Sequence, residues 1–147
     1  MNIRTFVMPW FAVLSLLLPV WATAQESGEN VAVNFSRDIP NIPGKSLVAV
    51  EVSYAPGAAS QPHHHAASAF IYAYVVSGQI ASQVDDQPER IYKAGENFFE
   101  NPGAHHLVSR NASTTEPAKL LAVFIVDSDE TALTTPDNHP DRKEIKQ

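Results

Sequence analysis

The stretch QPHHHAASAFIYAYVVSGQ, residues 61–79, places three consecutive histidines directly before a long apolar run. The run AFIYAYVV is rich in β-branched and aromatic residues and ends at Ser77-Gly78, which is typical of a β-strand bounded by a turn. In an extended chain, His63 and His65 share one face and His64 points to the other. The stretch therefore predicts a strand that carries two histidines able to reach one cation.

Short apolar runs and turns alternate over the rest of the chain as well. In SLVAVEVSY, residues 46–54, every second residue is apolar, so Val48, Val50, Val52 and Tyr54 are predicted to share one face. The runs QIASQV, RIYKAG, ENFFENPGA, HHLVSRN and AKLLAVFIV follow at close spacing, separated by turn residues. No long segment has a helical period, so the pattern predicts an all-β sandwich or barrel.

The first residues have the features of a secretory signal peptide. Residues 6–21 are almost wholly apolar, and Ala22-Thr23-Ala24 offers small residues where a signal peptidase cleaves. The apolar run is short for a membrane span, and the acidic stretch QESGEN follows it. We therefore expect residues 1–24 to be removed and the mature protein to be periplasmic or secreted, without a stable membrane anchor. A retained N-terminal anchor is the alternative.

Three further segments are predicted after the signal peptide. Residues 25–45 have little periodicity and indicate an N-terminal arm or loop, residues 46–127 a β-barrel, and residues 128–147 a polar C-terminal tail of short helix or coil. The formal net charge is −6, which argues against nucleic acid as a partner. The chain has no cysteine, so any metal must be bound by nitrogen or oxygen donors.

The histidines fall into two clusters far apart along the chain. Besides residues 63–65, His105 and His106 lie at the start of another predicted strand, while His139 lies in the polar tail and is expected to be solvated. Each cluster adjoins a turn that contains proline. This arrangement predicts a metal site, although histidines that only pack or face solvent would produce the same spacing.

The two clusters also resemble the two motifs of the cupin superfamily. Gly57, five residues and the pair His63 and His65 match the first motif, which closes at Gly78. Gly95, five residues, an Asn-Pro-Gly turn at residues 101–103 and His106 match the second. The resemblance implies a small jelly-roll β-barrel, often a homodimer, that binds a small-molecule ligand or substrate. It also implies a metal in the barrel mouth, held by His63, His65 and His106, with His105 as the runner-up for the third ligand.

The chain departs from the family at the glutamate that usually completes the metal site. Counting along the first motif places this glutamate at Ala69, Phe70 or Ile71, which are all apolar, so the fourth protein ligand is predicted to be missing. The other candidates for a ligand or catalytic group are Gln61, Tyr72, Tyr74 and Glu100. Of these, Glu100 is interpreted first as a solvated acid at a strand end. Tyr72 and Tyr74 share a face and could supply a phenol or simply pack in the barrel.

A metal held by three histidines alone would keep its full +2 charge and favour an anionic or chelating ligand. The metal is expected to be Fe, Mn or Zn. The predicted function is that of a metal-dependent enzyme acting on a small organic molecule, most readily a dioxygenase or other oxidoreductase. The alternative is a non-catalytic cupin that binds a small molecule or a metal, and a purely structural role for the histidines is a third hypothesis.

Overall fold

A computed structural model describes residues 28–137, and the predicted signal peptide and His139 lie outside them. Within the described part, the chain forms strands only. No helix there has the length and hydropathy that crossing a membrane requires. The strands are β1 Glu29–Asp38, β2 Lys45–Tyr54, β3 His63–His65, β4 Phe70–Ser77, β5 Gln79–Val84, β6 Arg90–Lys93, β7 Asn97–Glu100, β8 His105–Asn111, β9 Ala118–Asp127 and β10 Thr134–Pro136.

The strands build two five-stranded sheets, with only antiparallel pairings between neighbouring strands. Sheet A has the order β1-β2-β9-β4-β7 and sheet B the order β10-β3-β8-β5-β6. Most neighbours in each sheet are distant in sequence, as in a jelly roll, where successive strands alternate between sheets. This architecture confirms the all-β prediction.

The core lies between the sheets, and along β4, β7 and β9 buried and less buried residues alternate. On β4, Ile71, Ala73 and Val75 face inward and are wholly buried. Burial of each larger aliphatic side chain contributes roughly 1.5–3 kcal/mol. On β7, Phe98 is buried, whereas Phe99 is 61% exposed, so the two rings face opposite sides as their adjacent positions predict.

Two segments that were predicted to lack strands contain them. The predicted arm forms β1, which pairs with β2 through nine of its ten residues. A bulge between Val33 and Phe35 breaks its alternation, and all three of Val31, Val33 and Phe35 are exposed, so periodicity gave no strand signal. The predicted tail contains the short strand β10, which pairs with β3, and has no helix within the described residues.

The turn between β4 and β5 requires the glycine that closes the first motif. Gly78 has a φ of 71°, a conformation that other residues rarely adopt. A Cβ at this position would lie 2.6 Å from the carbonyl oxygen of Pro117. Both the backbone angle and the close approach therefore fix glycine here, where the chain passes from sheet A to sheet B.

Candidate metal centre

Strands β3 and β8 bring the two histidine clusters together. His63 pairs directly with His106 in the antiparallel ladder, and His65 lies two residues from His63 on the same face. One ring nitrogen from each of these three histidines lies within 4.8 Å of the others. The three residues singled out by the motifs therefore form one cluster that could hold a metal ion.

Neighbouring groups fix the orientation of two of the imidazoles. Nδ1 of His63 lies 2.7 Å from the carbonyl oxygen of Gln61, which can only accept, so Nδ1 carries the proton and Nε2 has the free lone pair. Nε2 of His106 lies 2.9 Å from the buried hydroxyl of Ser82. Partners of this kind orient metal-binding histidines in known sites. Gln61 thus contributes through its backbone carbonyl, as a positioning group for His63.

Glu100 lies beside the three histidines, which corrects two expectations from the sequence. Its side chain is 3% exposed, so it is not a solvated acid at a strand end. Its Oε2 atom lies 2.9 Å from Nε2 of His65 and 3.3 Å from Nδ1 of His106. The carboxylate that the first motif lacks is therefore present in the cluster, supplied by β7.

Several polar atoms in this cluster are buried without hydrogen-bond partners among residues 28–137. They are Nδ1 and Nε2 of His65 and Oε2 of Glu100. The 2.9 Å approach of His65 to Glu100 does not have the geometry of a hydrogen bond, so the short distance leaves both atoms unsatisfied. Buried polar groups without partners are costly, and a divalent cation in this cluster would satisfy one ring nitrogen of His65 and Oε2 of Glu100. The residues thus fit a metal ion.

The protonation states also suit a metal. Burial lowers the pKa of His106 to about 4, and burial likewise lowers the pKa of His63. For Glu100, burial alone would raise the pKa, but the close approach of His65 and the charge of His106 together hold it below its usual value. At neutral pH, His63 and His106 are therefore neutral imidazoles and Glu100 is a carboxylate, the forms that bind metal ions.

The cluster lies in the wall of a cavity of about 520 Å³ between the sheets. Most of the other lining side chains are apolar, namely Val31, Val33, Val50, Val52, Ala59, Leu120, Ala122, Phe124, Leu133 and Pro136. The hydroxyl groups of Tyr54, Ser60 and Ser109 also line the cavity. The Tyr54 hydroxyl lies 2.6 Å from Ser60 Oγ and 2.9 Å from Ser109 Oγ, and Ser60 donates to Glu29. Burial raises the pKa of Tyr54, so it stays a neutral phenol.

The remaining candidates lie elsewhere. Tyr72 pairs with Phe99 on the outer face of sheet A, is 42% exposed and, like Tyr74, does not line the cavity. His105 pairs with His64 on the outer face of sheet B, so the runner-up for the third ligand is not in the cluster. Adjacent strand positions face opposite sides, which is why His106 and not His105 points inward.

Comparison with known proteins agrees with this geometry. The sequence profile of the Cupin domain family matches residues 50–124, about half of the chain. No curated protein sequence matches the chain. Among solved structures, TT1209 from Thermus thermophilus is 25% identical with a TM-score of 0.54, and the match covers 71% of this chain and 90% of that one.

Two more distant structures show the same fold. A recombinant oxalate oxidase in complex with glycolate is 23% identical with a TM-score of 0.54, and the match covers 70% of this chain and 53% of that one. This chain therefore matches about half the length of the oxalate oxidase. An RmlC-like cupin from Methanocaldococcus jannaschii is 12% identical with a TM-score of 0.54, covering 71% and 86% of the two chains. Since the profile match spans both histidine motif regions and the strands between them, the chain belongs to the cupin domain family.

Proposed function

We propose that the protein is a metal-dependent cupin enzyme that acts on a small organic molecule, as a dioxygenase or other oxidoreductase. The observation that carries this proposal is the group of His63, His65 and His106, whose ring nitrogens lie within 4.8 Å of one another. Beside them lies Glu100, whose buried Oε2 atom, like the ring nitrogens of His65, has no hydrogen-bond partner among the described residues. These four residues would hold a divalent Fe, Mn or Zn ion. The oxalate oxidase structure with bound glycolate is compatible with a small oxygen-bearing ligand at such a site.

When bound, the metal would supply Lewis acidity and the capacity to activate dioxygen or water. Glu100 changes the charge that was expected from three histidines alone. Its carboxylate reduces the charge of a divalent site from +2 to +1, which weakens the preference for an anionic ligand. A neutral or singly charged oxygen donor is therefore an acceptable metal-binding group on the substrate.

The cavity walls define the rest of the substrate. Val50, Val52, Leu120 and Phe124 provide an apolar surface that would hold a hydrocarbon body and exclude water. The hydroxyl groups of Tyr54, Ser60 and Ser109 form a polar part of the lining, and the Tyr54 oxygen could accept a hydrogen bond from a polar group on the substrate. The best match is a small, mainly apolar molecule with one oxygen-containing group at the metal and a second polar group near Tyr54.

A second candidate function is ligand binding without turnover. Apart from the metal-site residues, the only titratable side chains that line the cavity are Glu29 and Tyr54 among the described residues. Both are engaged in hydrogen bonds through Ser60, so neither is a free acid or base. This favours a module that captures a small molecule and releases it unchanged.

Metal analysis of untagged protein, followed by activity screening, tests both candidates. The enzyme hypothesis predicts about one equivalent of Fe, Mn or Zn in the barrel site, and oxygen consumption or product formation with some small oxygen-bearing compound. A ligand that raises the melting temperature but is recovered unchanged after aerobic incubation with metal supports the binding module. Failure of all these metals to bind at micromolar concentration contradicts the enzyme hypothesis, and failure of any small molecule to raise the melting temperature contradicts the small-molecule binding module.

We also propose that the mature protein is exported and begins at Gln25. Support comes from the apolar run at residues 6–21 and the small residues Ala22-Thr23-Ala24. Mass spectrometry of protein isolated from the periplasm or the medium should give a chain without residues 1–24. An intact N-terminus in the membrane fraction would instead support a retained anchor.

A homodimer is proposed from the outer face of sheet A. Phe70 and Phe99 stack there with ring centroids 6.1 Å apart, and Tyr72 and Ile125 are exposed beside them. Ion pairs lie at both ends of β9, where Lys119 bonds to Glu51 and Lys45 to Asp127. An apolar face flanked by both charge signs can pair with its own copy across a two-fold axis. A small-molecule ligand and a second copy are thus the proposed partners.

A further inference from the structure

A second group of potential metal ligands lies on the opposite face of sheet B from the metal centre. His64 and His105 pair directly across the β3–β8 ladder, as His63 and His106 do on the inner face. The rings of His64 and His105 are stacked with centroids 4.0 Å apart and planes within 5°. The same two strands thus present one histidine pair to the cavity and another to the outside.

Asp137 joins the outer pair. Its Oδ1 atom lies 3.2 Å from Nδ1 of His64, and its Oδ2 atom lies 2.8 Å from Nε2 of His105. The backbone N–H of Asp137 donates to the carbonyl oxygen of Pro62 at 3.0 Å, directly after the residues of β10 that pair with β3. Backbone pairing from three strands therefore positions all three side chains, which we call the outer triad.

We propose that the outer triad of His64, His105 and Asp137 is a second metal site, which binds a divalent transition-metal ion such as Zn²⁺, Cu²⁺ or Ni²⁺. One ligand atom from each residue lies within 4.8 Å of the others, as in the inner cluster. No residue is shared with the barrel site. The outer triad is therefore independent of the proposed function of the cavity.

The donor set suits these metals. Two imidazole nitrogens and one carboxylate oxygen match the ligands that Zn²⁺, Cu²⁺ and Ni²⁺ prefer, whereas Mg²⁺ and Ca²⁺ favour oxygen. In the metal-free protein, Nδ1 of His64 and Nε2 of His105 face the Asp137 carboxylate. A cation would bind between these nitrogens and the carboxylate, and a proton on either nitrogen would first be exchanged with solvent for one on the other nitrogen of the same ring. The side chain of His64 is 55% exposed, so water can fill the remaining coordination positions.

Metal binding to the outer triad would also stabilise one wall of the cavity. Leu133, Thr134 and Pro136, which line the cavity, come directly before Asp137 in the chain. Within the described residues, β10 is a three-residue edge strand that is hydrogen-bonded only to β3. A cation on the outer triad would link the end of β10 to both β3 and β8 and so oppose the separation of β10 from β3.

The test is the Zn²⁺ stoichiometry of the untagged, metal-stripped protein, measured by isothermal titration calorimetry and by elemental analysis after dialysis. The proposal predicts that the His105→Ala and Asp137→Asn variants each bind about one equivalent less than the wild-type protein. Asp129→Asn is the matched control, because Asp129 is an exposed carboxylate in the turn after β9, and it should keep the wild-type stoichiometry. Asp137→Asn removes no packed side chain, so it remains informative if His105→Ala proves unstable.

The outcomes separate this proposal from the barrel site. Two equivalents in the wild-type protein and one in both outer variants support it. One equivalent in the wild-type protein and none in the outer variants also support it, while contradicting a Zn²⁺ site in the barrel. If both outer variants bind as much Zn²⁺, as tightly, as the wild-type protein, the outer triad is not a metal site.

Discussion

Glu100 on β7 lies directly across the ladder from Ile71 on β4. Ile71 is one of the positions at which the first cupin motif places its glutamate, counted back from Gly78. Both side chains are buried and face the interior. A carboxylate on β7 therefore reaches the same side of the sheet from the neighbouring strand, close to the position at which the motif places its own carboxylate.

This relationship predicts that the carboxylate can be moved from position 100 on β7 to position 71 on β4 with metal binding largely retained. Glu100→Gln should lower metal affinity about 10–100-fold, because it removes a charged ligand or a close partner of two ligands. The double variant Ile71→Glu/Glu100→Ile should recover much of the loss, since it places the carboxylate on the partner position. Calorimetric titration with Zn²⁺ and Mn²⁺ measures both effects.

The matched control for these variants is Glu116→Gln, an exposed carboxylate in the loop before β9, which should bind like the wild-type protein. Unchanged affinity in Glu100→Gln would show that Glu100 is not part of the metal site. Loss in Glu100→Gln without recovery in the double variant would show that only β7 can present the carboxylate correctly.

The second prediction concerns the orientation of His106. Ser82→Ala removes the 2.9 Å contact between the Ser82 hydroxyl and Nε2 of His106, which is buried on both sides. The free energy of unfolding of the metal-free protein should fall by about 1–3 kcal/mol, because a buried nitrogen loses its partner. Metal affinity should fall about 10–100-fold.

Urea denaturation measures the first effect of Ser82→Ala and calorimetry the second. Ser77→Ala, at an exposed position at the end of β4, is the control and should change neither quantity. A Ser82→Ala variant with lower stability but wild-type metal affinity would show that Ser82 contributes to folding and does not orient His106 for metal binding.

The third prediction is the pH dependence of stability without metal. Folding lowers the pKa of His106 from 6.5 to about 4, so between these values the unfolded chain binds more protons than the folded one. Stability should therefore be complete above pH 6.5 and decline as the pH falls towards 4, by on the order of 3 kcal/mol from this group. The lowered pKa of Glu100 acts in the same direction at still lower pH.

Urea denaturation of the metal-free protein between pH 7.5 and 4.5 checks this trend, with His106→Gln as the comparison. The free energy of unfolding of His106→Gln should depend less steeply on pH, since this variant lacks the titrating imidazole. A wild-type protein that becomes more stable on acidification over this range would contradict the assigned direction.

Strand periodicity predicted most of the fold. Alternation along β4 and β9 is regular because each has one face on the core, and the same parity correctly separated His63 and His65 from His64. It failed for β1, whose residues are mostly exposed and interrupted by a bulge, and for β10, which is too short to have a period. In both strands, backbone pairing rather than side-chain burial defines the element.

The unexpected position of Glu100 has a different cause. The motif places a carboxylate after His65 along the chain, whereas the structure supplies it across the ladder, a relationship that strand pairing creates and sequence order hides. One signal was available in the alternation of β7. Phe98 is buried and Phe99 is exposed, and Glu100 lies two residues after Phe98, so alternation places Phe98 and Glu100 on the same inward face. The pairing partner of β7 was still needed to bring Glu100 to His65.

The last prediction tests the proposed homodimer. Phe99 is 61% exposed on the outer face of sheet A, stacks only against the exposed Phe70 among the described aromatic residues, and lies away from the cavity. Phe99→Glu should therefore convert a dimer to a monomer in size-exclusion chromatography with light scattering, because two copies would bury like charges against an apolar face. Ile91→Glu, an exposed apolar position on β6 of sheet B, is the control and should remain dimeric. Both variants should keep wild-type metal content, since neither side chain lines the cavity. A monomeric wild-type protein, or a Phe99→Glu variant that stays dimeric, would show that this face does not mediate association.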